Sequence, residues 1–150
     1  MERLTENEDL VAYCGLYCGD CHGYQQKIAD MARDLRKELR QKKYKKFADF
    51  LAGYNFGKAY QNYDQCYEVL GAMVKFRCHK GCRPGGGPPF CKMRQCCQKK
   101  GYEGCWECSG FETCAKLDFL KPVHDDGHIK NLRLLKKKGT QEFINNKRFW

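Results

Sequence analysis

Two groups of cysteines carry most of the chemistry this chain can perform. Cys14-Gly15-Leu16-Tyr17-Cys18-Gly19-Asp20-Cys21 is a C-x3-C-x2-C run. A denser set follows at Cys78-x3-Cys82, Cys91-x4-Cys96-Cys97, Cys105-x2-Cys108 and Cys114. Thiolates two or three residues apart can converge on one metal ion, and the glycines permit the tight turn this needs. Tetrahedral zinc takes four ligands, so the first run needs a donor from elsewhere. Cys78 or Cys82 is the expected donor, which would tie the N-terminal run to the later cysteines. A second site is expected from Cys91, Cys96, Cys105 and Cys108, with Cys114 competing for any of these places. The expected cofactor is therefore Zn2+ in two structural sites. The alternative is an iron–sulfur or thiol redox protein, because thiolates serve both metals.

The other reactive side chains read as bystanders. Cys66 falls on a helical apolar stripe and is expected to be a small buried hydrophobe. Cys97, next to Cys96, is balanced between ligand and buried thiol; Lys99 and Lys100 nearby would favour its thiolate. His22 and His79 each follow a cysteine directly, and adjacent residues seldom face one ion. His124 and His128 are expected on the surface. No Ser/His/Asp set, paired acids or His-Glu-x-x-His motif is present, so an enzyme is not expected. Radical S-adenosylmethionine chemistry shares the C-x3-C-x2-C spacing. It would leave the nine later cysteines unexplained and needs a strand–helix barrel that this chain lacks the length to build. Arg83-Pro84-Gly85-Gly86-Gly87-Pro88-Pro89 lacks the Lys-Ser or Lys-Thr of a phosphate loop and reads as a connection between knuckles.

The elements that position these residues read as helices. Tyr24, Ile28, Met31, Ala32, Leu35 and Leu39 share one helical face, as do Tyr63, Cys66, Tyr67, Leu70, Met73 and Val74. A shorter helix carries Tyr44, Phe47, Ala48 and Leu51 and stops at Gly53. Ile129, Leu132 and Leu135 predict another, with Lys136, Lys137 and Lys138 at its C-terminus and Gly139 ending it. Thr140 is expected to cap a last helix carrying Phe143 and Ile144. Thr5-Glu6-Asn7-Glu8 has capping-box spacing.

Val, Ile and Thr are too few for an extended sheet. Leu, Ile, Val and Phe supply only 28 of 150 residues, so metal ligation must supplement a thin aliphatic core. The expected fold is one small, mainly α domain over residues 1–150 with irregular cysteine-rich zinc knuckles, little or no sheet, and a basic helical tail over 125–150.

An acidic N-terminus with no apolar stretch, together with a mean hydropathy of -0.77, predicts a cytoplasmic protein without membrane association. Reducing conditions there favour metal ligation over disulfides. The formal charge is +10. Two four-thiolate zinc sites would lower it to about +6. Residues 27–46 hold nine Lys and Arg against three acids, with Tyr44 and Phe47 interleaved. That basic helix could receive a protein partner or nucleic acid, but Arg33, Arg36, Lys37 and Arg40 lie opposite the apolar stripe, so periodicity favours a solvated or protein-contacting face.

The cysteine spacing carries a family resemblance. The run Cys14 to Cys21, followed by Cys91-Lys92-Met93-Arg94-Gln95-Cys96, Lys100-Gly101, Cys105-Trp106-Glu107-Cys108 and Cys114-Ala115-Lys116-Leu117, resembles domain-of-unknown-function family 3795, found mainly in bacteria and archaea. The resemblance covers residues 12–120. It implies a small cytosolic zinc-binding domain with no established activity, and Cys66, Cys97 and residues 78–90, with the glycine-rich stretch 83–89, depart from its pattern.

Overall fold

The computed structural model describes residues 8–150, so the capping box at Thr5-Glu6-Asn7-Glu8 lies outside the described residues except for Glu8. Among the described residues the chain is mainly α and forms no strand. Eight helices follow in order: α1 (His22–Gln25), α2 (Lys27–Gln41), α3 (Tyr44–Leu51), α4 (Tyr63–Lys75), α5 (Lys92–Lys100), α6 (Lys121–His124), α7 (Gly127–Lys138) and α8 (Thr140–Asn145). Short 3-10 turns connect them. The chain falls into two compact units, one of residues 25–77 and one that joins the N-terminal stretch through Tyr24 to residues 78–150.

The unit of residues 25–77 packs α2 against α4 and α3 against the 3-10 segment Asn55–Asn62. Its helices form because α2 is built almost wholly of good helix formers without Gly or Pro. The buried face is not the expected stripe. Ala29 and Ala32 of α2, Ala48 of α3 and Gly71 of α4 are buried, whereas Ile28, Met31 and Leu35 lie outside, Met31 being 62% exposed. The small residues leave room for long side chains from the neighbouring helix: a Cβ on Gly71 would lie 3.1 Å from the Arg36 guanidinium, and this face is covered rather than the larger apolar one beside it. Cys66 is correspondingly exposed rather than buried. The Arg36 guanidinium stacks on the Tyr67 ring at 4.3 Å, and Arg40 donates to the Tyr67 hydroxyl at 2.8 Å. The expected end of α3 before Gly53 is as found.

The cysteine-bearing unit has an ordinary interior. Leu117, Leu132, Phe111, Met93 and Leu16 pack with Cys14, Cys18, Cys97 and Cys105, and a smaller group joins Val11, Tyr17, Leu135 and Phe143. Helix α7 buries Leu132 and Leu135 as its periodicity predicts, and Gly139 ends it at φ 81°. Thr140 is the first residue of α8 and not its cap: its hydroxyl donates to the Glu8 carboxylate at 2.7 Å. His124 and His128 are buried, contrary to the surface expectation. Asp125 adopts φ 49°, which breaks the chain between α6 and α7 and turns both histidines inward.

Candidate metal centre

The first group of sulfurs is built by a turn at residues 11–17. Val11 pairs antiparallel with Tyr17, the Ala12 amide donates to the Leu16 carbonyl at 2.8 Å, and Cys14 sits at the tip. Gly15 has φ +88°, and a Cβ there would lie 2.9 Å from the Leu132 side chain. The left-handed φ and the close approach both favour glycine at that corner. Burial pushes the Cys14 thiol up to about 12, opposed by the Leu16 amide. Cys18 behaves differently. The Cys82 thiol donates to its sulfur, the Cys82 amide adds a second hydrogen bond at 3.3 Å, and Arg83 lies nearby; these hold Cys18 down at about 7 against burial. Cys82 is raised because it keeps the shared proton and is itself buried, with Cys14 and Cys21 close enough to add their charge. Cys91, the N-cap of α5, also lies within electrostatic reach of Cys14. Cys14, Cys18, Cys21, Cys82 and Cys91 thus form one neighbourhood.

The glycine-rich stretch is more than a connection. The Gly86 amide donates to the Gly81 carbonyl at 2.8 Å, and the Cys78 thiol donates to the Gly86 carbonyl at 3.3 Å. A Cβ on Gly86 would sit 3.0 Å from the Cys78 sulfur, and one on Gly87 would sit 2.9 Å from the Cys82 sulfur. The loop therefore rests on the sulfurs at Gly86 and Gly87, with the Gly81 carbonyl 2.5 Å from where a Cβ on Gly86 would stand, while Gly85 adopts φ +95°. Arg94, only 8% exposed, pins it by donating to the carbonyls of Cys82, Pro88 and Pro89. Arg83 binds the first run to the later chain, donating to the Val11 and Glu103 carbonyls and stacking on Tyr13.

The second group surrounds a cavity of about 60 Å³ lined by five cysteines: Cys96, Cys97, Cys105, Cys108 and Cys114. The sulfurs of Cys97 and Cys105 are 3.6 Å apart. The Cys105 thiol lowers the Cys97 pKa by donating to it, with Arg83 and Lys100 acting in the same direction, while Cys105 itself is raised. Helix α5 places Cys96 and Cys97 side by side, and neighbouring helical residues can flank one small cavity. Tertiary folding thus brings Cys97, weakly marked in the sequence, into contact with Cys105. It draws Cys91, expected with Cys96, towards Cys14. The adjacency of Cys97 to Cys96 was the available signal.

Among the described residues, no three His, Cys, Asp or Glu side chains stand close enough together to hold an ion as they are placed. The sulfurs meet in pairs, and all twelve cysteines are free thiols. His124 Nδ1 and both ring nitrogens of His128 are buried without a hydrogen-bond partner. Burial pushes both imidazoles' pKa values down, helped by His22 at His124 and by His124 and Lys121 at His128. On the basic helix, Arg33 pairs with Asp30 and Asp34, Lys42 reaches Glu38, and Lys45 pairs with Asp49 and Asp64. Part of the expected cationic surface is therefore neutralised by its own neighbours.

These features define a helical, cysteine-rich protein whose thiols gather in two neighbourhoods. Residues 10–119 match the family described as "Protein of unknown function (DUF3795)", and the chain belongs to that family. No curated protein and no solved structure matches the chain.

Proposed function

We propose that the protein is a cytosolic zinc-binding module in which the metal is mainly structural and the chain serves to bind or adapt a partner. The observation that carries this reading is the gathering of ten of the twelve cysteines, as free thiols, into two neighbourhoods in one unit. The donor chemistry fits: thiolates bonded to a zinc ion at about 2.3 Å lie about 3.8 Å apart along a tetrahedral edge, and the Cys97 and Cys105 sulfurs are at 3.6 Å. Amide donors to sulfur, as from Cys82 to Cys18 and Arg94 to Cys91, suit thiolate ligands. One ion would be held by Cys14, Cys18, Cys21 and Cys82, with Cys91 and Cys78 beside them. The other would draw on Cys96, Cys97, Cys105, Cys108 and Cys114. Bound zinc would cross-link distant parts of the chain and neutralise thiolate charge. The exposed apolar side chains of residues 25–77, Phe56 and Met31 among them, support the partner-binding half of the reading.

Metal analysis of protein purified without added metal tests the proposal. About two zinc ions per colourless chain are expected, and Cys82→Ser should remove about one of them. Iron with absorbance near about 400 nm would replace this reading with an iron–sulfur protein. A salt-titrated assay with generic DNA and RNA is expected to show no salt-sensitive binding; such binding would favour the nucleic-acid reading.

A further inference from the structure

We infer that Cys97 and Cys105 form an oxidisable dithiol, a modification site at which a peroxide closes a disulfide. The assignment rests on their contact and goes beyond the metal reading, which leaves five thiols around one cavity for at most four positions. The two sulfurs are 3.6 Å apart with only seven residues between them. Both ends of that segment are anchored: the Tyr102 amide donates to the Cys97 carbonyl at 2.9 Å, and the Cys105 amide donates to the Tyr13 carbonyl at 2.8 Å. The sulfurs therefore stay adjacent without a rearrangement of the chain. The cavity they line, about 60 Å³, has room for a molecule the size of hydrogen peroxide beside the two sulfurs. The Cys18–Cys82 pair, which also shares a hydrogen bond and lies against Gly81 and Gly87, is the internal comparison.

The chemistry balances with peroxide as the oxidant. The Cys97 sulfur attacks one peroxide oxygen, the O–O bond breaks and one water leaves. Cys97 is then a sulfenic acid, having passed two electrons to the peroxide. The Cys105 sulfur attacks it, the S–S bond forms, the S–O bond breaks and a second water leaves. Two thiols and one peroxide give one disulfide and two waters.

The test treats the full chain with hydrogen peroxide, as purified and after chelation, then alkylates, digests and maps thiols by mass spectrometry. The expected first product in the chelated protein is the Cys97–Cys105 cross-linked peptide. Cys97→Ser should slow the loss of paired thiols about tenfold or more. Cys105→Ser should leave a Cys97 sulfenic acid that dimedone traps, which also reports on a variant whose helix content by circular dichroism is unchanged. Prior closure of Cys18–Cys82, or Cys97 and Cys105 both remaining alkylated, overturns the inference. Metal content is read separately. If zinc occupies this centre, the purified sample reacts more slowly than the chelated one; if it does not, the two react alike and the disulfide still forms.

Discussion

The two compact units solve the shortage of aliphatic residues in opposite ways. Residues 25–77 bring helices together through Ala29, Ala32, Ala48 and Gly71 and leave Ile28, Met31, Leu35 and Phe56 outside. The cysteine-bearing unit instead buries Leu117, Leu132, Phe111 and Phe143 and places its sulfurs among them. The contrast teaches that a low aliphatic content does not set one kind of core. Where side chains are small, long side chains such as Arg36 lie against the backbone and give dispersion contact; where they are large, area removed from water stabilises the core. The surface left apolar on residues 25–77 is the consequence of the first solution.

The strongest break of this contrast is Gly15→Ala. The positive φ and the 2.9 Å approach to Leu132 together should cost about 3 kcal/mol. Hydrogen-exchange mass spectrometry should show protection lost in residues 8–24 and 78–150 while residues 25–77 keep theirs. Ala48→Leu is the mirror experiment. Overpacking a fully buried position should cost about 1–3 kcal/mol, read as lost protection in residues 25–77; an unchanged exchange pattern would show that the helices do not depend on alanine contact.

A pH effect of smaller size belongs to the cysteine-bearing unit alone. His124 and His128 have pKa values held below the ordinary 6.5 in the folded chain, first by burial. The unfolded chain therefore binds protons that the folded chain refuses. Their contribution to stability is complete above about pH 6.5 and is lost as pH falls from there towards the folded-state values. Lys121 adds to the depression at His128, while Asp118 and Asp126 oppose it. The urea midpoint should fall between about pH 6.5 and 5, and His128→Leu should flatten that slope. The smallest effect expected is that of Met31→Ser. At 62% exposure it should shift stability by less than about 0.5 kcal/mol; a loss of several times that would restore Met31 to a core.

Much of the local structure was legible in the chain itself. The helix carrying Leu132 and Leu135, its end at Gly139 and the end of α3 before Gly53 all follow from periodicity and from the conformational freedom of glycine. The two cysteine groups and the family they indicate are likewise readable from spacing alone. The misreadings share one cause. Periodicity identifies an apolar stripe on α2, but Ala29 and Ala32 lie beside Ile28 and Met31, and only the partner helix decides which edge is covered. His128 looked polar enough for the surface, yet the break at Asp125 turned it inward.

What the sequence by itself determined is therefore the helical segments, the absence of material for a large sheet, and the supply of thiols at knuckle spacing. These depend on residues within a turn or two of each other. Only the tertiary structure decided that Cys82 meets Cys18, that Cys97 meets Cys105, that the Gly81 carbonyl and the Cys78 sulfur crowd Gly86, and that the Cys82 sulfur crowds Gly87. Such contacts join positions up to 64 residues apart, and no local pattern encodes a distance that chain folding alone creates.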